Sequence, residues 1–309
     1  MANYRQPGLD HDLYGYTPLP QRPALPGMNG KHILVYLALQ LEHWELNPPE
    51  GSVRDPRFKG EFGMFSPEFR TWTVREYGSR VGAYRVIELL DELGLQPTVA
   101  LGSALVQTHP ALVSLVRERH WDVVAHGFSA NRMISSKMGE DQERSFIRTC
   151  REQLAAALDR DPQGWLGQDF GATSATANLL REAGFRYTLD WSNDEQPYWL
   201  NAGGDERGLM ALPGPAEFDD VQTIALRRIA PGRFVQMVRD TLEGWPGHPV
   251  TRVLPIGIHP WVFGTPHRIR YLREALQALA AHPDVFFTTA GMIAGHYINL
   301  TLETDHVVP

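Results

Sequence analysis

The residues of this chain best suited to chemistry stand where apolar runs end. Glu42 directly follows the run 32–41, His126 follows Asp122-Val123-Val124-Ala125, and His259 follows Pro255-Ile256-Gly257-Ile258. Asp190 ends the short segment 187–190. A carboxylate can take a proton from water, and an imidazole titrates near neutral pH and can give one back, so this set suits general acid–base hydrolysis. Trp44, Trp165 and Trp191 stand within a few residues of the same ends and could wall a flat pocket, although packing alone would also explain a tryptophan. His43 is of interest as the neighbour of Glu42, whereas His109, next to Pro110, reads as part of a helix start.

The elements that must position these groups alternate along the chain. Apolar segments at 32–41, 97–101, 121–125, 164–166, 187–190, 209–212, 250–258 and 285–289 read as strands. The first is apolar throughout, as a strand buried on both faces would be. Helical stripes fall between them: Ala83, Val86, Ile87, Leu90 and Leu93 before a stop at Gly94; Leu112, Leu115 and Val116; Phe146, Cys150, Leu154 and Leu158; Leu179 and Leu180; Phe234, Val235, Val238 and Leu242; Ile269, Leu272, Leu276 and Leu279. Residues 42–76 read as a long loop. Residues 1–30, rich in Pro, Gly and Tyr, read as an extended arm on the surface or toward a neighbouring subunit, leaving 31–309 as one domain. Strand–helix alternation predicts an α/β fold with a mainly parallel sheet, closed or open. In a closed barrel the strand ends would share one mouth.

Composition narrows the classes. The 309 residues are 43% hydrophobic with a net charge of −7, and no basic run offers a surface for nucleic acid. No apolar stretch is long enough to span a bilayer, and Met1-Ala2-Asn3-Tyr4-Arg5-Gln6-Pro7 has no export-signal character, so the expectation is a cytoplasmic protein acting on a small molecule. The single cysteine, Cys150, lies in a helical apolar stripe and reads as a buried structural thiol. No glycine-rich phosphate loop follows a strand.

The ordered segments His126-Gly127-Phe128-Ser129-Ala130-Asn131-Arg132, Gly164-Trp165-Leu166-Gly167, Tyr187-Thr188-Leu189-Asp190-Trp191 and Ile258-His259-Pro260 resemble the motifs of polysaccharide deacetylases. Glu42-His43-Trp44 and Tyr77-Gly78-Ser79-Arg80-Val81-Gly82 are similar to the branch holding metal-independent allantoinases and cyclic imide hydrolases. The resemblance implies a distorted barrel of about seven βα units. It also implies hydrolysis of a carbon–nitrogen bond in a small amide, cyclic imide or ureide, and a homo-oligomer, dimer or tetramer.

On this resemblance Glu42 would be the base and His259 the acid, with His126 and Asn131 polarising the carbonyl or positioning water. Arg80 would hold an anionic substrate group and Asp190 would orient Arg80 or a histidine. No organic cofactor is expected. Family deacetylases carry two adjacent acids after strand one and a His-x-x-x-His metal pair; this chain has Leu41-Glu42, and Ala130 followed by Asn131. A zinc ion, if held, would rest on Glu42 and His126. The alternatives are a metal-dependent N-acetyl sugar deacetylase and an inactive barrel that binds a ligand.

Overall fold

The computed structural model describes residues 9–22, 24–58, 67–245 and 250–305, without the side chains of 302–305. Nine strands form one sheet: β1 (Ile33–Leu41), β2 (Thr98–Leu101), β3 (Asp122–Ala125), β4 (Gly164–Trp165), β5 (Tyr187–Thr188), β6 (Tyr198–Ala202), β7 (Asp205–Ala211), β8 (Arg252–Ile258) and β9 (Val285–Phe287). Their order is β6-β7-β5-β4-β3-β2-β1-β8, and every pairing is parallel except β6 with β7. β9 pairs with the first residues of β1, on Ile33, Leu34 and Val35, and β2 pairs with its last ones, Ala38 to Leu41. The sheet curls into an incomplete (β/α) barrel. The segment after β7 reaches toward closure, for Asp219 bridges to Gly257 of β8.

The helices are α1 (Phe69–Tyr77), α2 (Ala83–Leu93), α3 (Leu105–Thr108), α4 (Pro110–Glu118), α5 (Glu140–Leu158), α6 (Thr176–Glu182), α7 (Pro231–Gly244), α8 (Ile269–Ala280) and α9 (Ala290–Asp305). None of the described helices is long and apolar enough to cross a membrane. α2 stops at Gly94 in the left-handed conformation (φ 66°), as the sequence predicts.

Alternation along each strand divides the core in two. On β1, Ile33, Val35, Leu37, Leu39 and Leu41 face the helices, while Leu34, Tyr36 and Ala38 face the barrel interior with Val124, Leu166, Tyr187, Leu189 and Val253. Helix α9 contributes Ala290, Ile293, Ala294 and Tyr297 to that inner cluster. Burying β1 on both faces is what selects its unbroken apolar run. Cys150 is 1% exposed within the outer cluster, and burial pushes its thiol up to about 12.

Four elements depart from the sequence reading. Helix α1 lies inside the expected 42–76 loop; its buried positions are Thr71 and Arg75, so it shows no apolar stripe. Next comes a π-helical turn, Gly78–Gly82, which joins α1 to α2. Strand β6 forms a hairpin with β7 through Gly203 and Gly204, both at positive φ, a turn that favours glycine. Helix α9, with glycines at 291 and 295, carries no regular period. The described part of the arm packs on its own chain: Leu13 accepts from the Asn201 amide, Tyr14 meets Trp191 and Tyr198, and Arg22 pairs with Asp194 at 2.5 Å.

Candidate active site

Strand parity delivers the central group. Position 42 continues the inward series 34, 36, 38 and 40, so Glu42 joins Gln40 at the barrel mouth. His126 continues the inward phase of Val124, and His259 that of Val253. The three converge. Nε2 of His126 lies 3.1 Å from Glu42 Oε1, and Nε2 of His259 lies 3.9 Å from the same oxygen.

The hydrogen bonds fix much of the protonation. Nδ1 of His126 donates to the Leu166 carbonyl at 2.6 Å, since a carbonyl only accepts. Its Nε2 therefore meets Glu42 across a second, shared proton. His259 is held by an acid: its Nδ1 lies 2.7 Å from Asp220 Oδ1, and its backbone N–H donates to the same carboxylate. Asp219 Oδ2 sits 3.6 Å from that Nδ1 and accepts from Gln40 at 2.7 Å. Asp219 and Asp220 precede a second π-helical turn, Val221–Leu226, and are 2% and 0% exposed.

Charge follows from these contacts. Burial opposes a charged imidazole at His259, but Asp219, Glu42 and Asp220 outweigh it and lift the group to about 10, so the ring carries a proton at neutral pH. Burial pushes the Glu42 carboxyl up, yet His259, the hydrogen bond from His126 and the Arg75 guanidinium hold it below the usual range. Burial raises Asp220 to about 6 despite its bond to His259. Asp169, in the turn after β4, is raised to about 7 by burial and by the nearby Glu42 and Asp55 charges. Its backbone is left-handed at φ 50°, as is that of Phe170 at φ 57°.

The other expected residues divide. Trp44 is buried and walls a small cavity with Gln40, Glu42, Arg75, Ser79 and Trp261. A wider cleft opens on the far side of Trp44, lined by Arg54, Glu68, Trp72, Asn131 and Lys137. Trp165 faces the helices and packs on Phe185, so it is core. Trp191 meets Tyr14 of the arm, with ring centroids 6.1 Å apart. Asp190 is partly buried; it accepts from the Gly167 amide at 2.6 Å and the Thr188 hydroxyl at 2.9 Å, which makes it the brace of the β4 exit. Burial raises it to about 6.

Two expected roles need correction. Arg80 is exposed on the π-turn; the cation beside Glu42 is Arg75, stacked 3.4 Å from the Trp261 ring centroid. Asn131 spends its side chain on the backbone of Glu45, accepting from its N–H at 3.1 Å and donating to its carbonyl at 2.8 Å. It pins the loop that carries Glu45.

Glu42 and His126, the pair that the resemblance would give a zinc ion, do not make a transition-metal site by themselves. Glu42 and His126 already share a direct contact, the next family position is the apolar, buried Ala130, and the Asn131 amide is committed. Among the described residues, the clusters with three ligand atoms within 4.8 Å of one another are Asp219–Asp220–His259 and His43–Glu76–His109; Glu42 and His126 belong to neither. Sequence reasoning missed Asp219, Asp220, Asp169 and Arg75, none of which adjoins an apolar strand run.

Comparison with known proteins agrees with this architecture. A polysaccharide deacetylase family model matches residues 76–188. A Schizosaccharomyces pombe protein assigned by name to the polysaccharide deacetylases is 25% identical over 244 residues, covering 71% of this chain and 73% of its own. The crystal structure of PuuE allantoinase superposes with a TM-score of 0.76 at 22% identity, over 94% of this chain and 97% of that one. A Pseudomonas aeruginosa PAO1 structure described as a polysaccharide deacetylase gives 0.74 at 22%, over 86% and 91%. By its barrel, the order of its motifs and these matches, the chain is similar to polysaccharide deacetylases, whose family model covers residues 76–188.

Proposed function

We propose that the protein hydrolyses a carbon–nitrogen bond in a small planar amide, cyclic imide or ureide, with Glu42 as base and His259 as acid. The observation that carries this reading is the Glu42 carboxylate flanked by two imidazoles, one of them backed by a buried aspartate and still protonated at neutral pH. Breaking a C–N bond requires a proton to leave the attacking water and another to reach the departing nitrogen. His259, lifted to about 10, holds the second proton.

A carboxylate held below its usual range is a weak base at rest. Its weakness depends on the His259 charge, second only to burial among the influences on it. As the His259 proton moves toward the leaving nitrogen, that charge fades and Glu42 gains affinity for the water proton. The two transfers are thereby coupled. His126 orients Glu42 through the shared proton, and Asp220 fixes the His259 tautomer. Arg75 supplies the fixed positive charge expected of Arg80, for an oxyanion or an anionic substituent. Trp44 and Trp261 flank the Arg75 guanidinium, 5.0 and 3.4 Å from their ring centroids, and hold that charge beside Glu42.

The test is a hydrolysis screen of hydantoins, cyclic imides, linear ureides and N-acetyl sugars with the wild type, Glu42→Gln and His259→Ala. Turnover of a ring imide or ureide, lowered about 10²–10⁴-fold in each variant, is the expected result. Turnover confined to N-acetyl sugars would overturn the substrate class. Full activity in Glu42→Gln would overturn the mechanism, and failure on all four classes, with ligand binding intact, would leave a binding protein.

A further inference from the structure

Position 43 has the outward parity of Leu41, so His43 turns away from Glu42 toward the helices. There it meets Glu76 of α1 and His109, the residue between α3 and α4. Glu76 Oε1 lies 3.6 Å from His43 Nδ1, and Oε2 lies 3.4 Å from His109 Nε2. The ligand atoms of the three residues all fall within 4.8 Å of one another. Both contacts are longer than a good hydrogen bond. They match instead the edge of a tetrahedron of ligands around zinc, about 3.3–3.4 Å for bonds of about 2.0–2.1 Å.

Hydrogen-bond bookkeeping points the same way. The Thr108 hydroxyl donates its one proton to the Ala104 carbonyl at 3.0 Å, so toward His109 it can only accept. His109 Nδ1, 2.9 Å away, must therefore be the donor. In the neutral ring this leaves a bare lone pair on Nε2, aimed at a carboxylate oxygen. A ligating histidine is held in the same way, by a partner on its other nitrogen. His43 Nδ1 is buried and has no hydrogen-bond partner. The three side chains are 13–16% exposed, enough for an ion to enter and for water to complete its shell.

We propose that His43, Glu76 and His109 bind one divalent transition ion of the zinc class. The site lies outside the barrel mouth and is distinct from Glu42 and His126. It ties the exit of β1 to α1 and to the start of α4, so its role is structural. The carboxylate of Glu76 supplies the negative charge that complements the cation.

The experiment strips the full-length protein with chelator, titrates it with Co²⁺ while recording the visible d–d bands, and then displaces the cobalt with Zn²⁺. Thermal melting is followed in parallel, with circular dichroism as the folding control. One equivalent is expected to bind to the wild type and to Glu42→Gln, raising the melting temperature. In His109→Asn and Glu76→Gln affinity should fall by more than about a hundredfold, since losing even an outer partner of a ligand costs about 10–100-fold. No cobalt bands in the folded wild type would overturn the proposal. So would binding that survives in both folded variants, or binding lost in Glu42→Gln but kept in His109→Asn.

Discussion

The Asp220 carboxylate touches His259 three times, at the ring nitrogen and twice at the backbone N–H, and no other acid in the mouth grips a base so closely. Removing that charge removes one of the three anionic influences that keep His259 protonated. If His259 is the acid, kcat/KM should fall at alkaline pH with an apparent pKa near 10, because the reactive form is the protonated ring. In Asp220→Asn the limb should move to lower pH, and in His259→Asn it should vanish along with most of the rate. A pH–rate profile of the three proteins checks this; an unmoved limb in Asp220→Asn would assign the alkaline pKa to another group. Asp169, raised to about 7 beside Glu42, is a further group for that profile to detect near neutrality.

At the scale of elements, the site depends on two backbones in close approach. A Cβ on Gly82 would collide with the Pro260 carbonyl, and one on Gly78 would stand 2.9 Å from the Trp261 amide nitrogen. The π-turn therefore needs glycine at both ends to seat the loop that follows His259. Gly82→Ala should cost about 1–3 kcal/mol of stability by overpacking and should lower kcat more than it raises KM, because it moves the acid. Denaturant melts and steady-state kinetics on the same preparation separate the two effects. The same turn explains a limit of the sequence reading. A π-turn shifts helical phase, so the side chain that reaches the carboxylate is Arg75 and not Arg80.

Strand parity, by contrast, was readable: Glu42, His126 and His259 all fall on inward positions, and the same count puts Trp165 outward, where it packs on Phe185. Most strands and helices were legible because burial writes a period into the residues. Asp219 and Asp220 were not, since they follow a Pro- and Gly-rich loop whose course only the folded chain fixes.

Over the whole molecule, carboxyls shifted by partial desolvation govern how stability varies with pH. Asp190 is raised to about 6 by burial, against an ordinary value of 3.8. Between these values the folded chain holds a proton that the unfolded chain has released, so lowering the pH from about 7 to about 4 favours folding. A shift of this size corresponds to about 2–3 kcal/mol. Asp190→Asn should flatten that part of the curve and keep the Gly167 contact; equilibrium unfolding at several pH values measures it.

The lone cysteine gives this molecule a clock. Cys150 is shut within the outer core with its thiol pushed up to about 12, so a water-borne alkylating reagent meets neither an accessible sulfur nor a thiolate in the native fold. Modification has to await an excursion that lifts α5 from the sheet. With no second thiol in the sequence to confuse the count, the rate at which the chain gains one adduct records how often that helix departs.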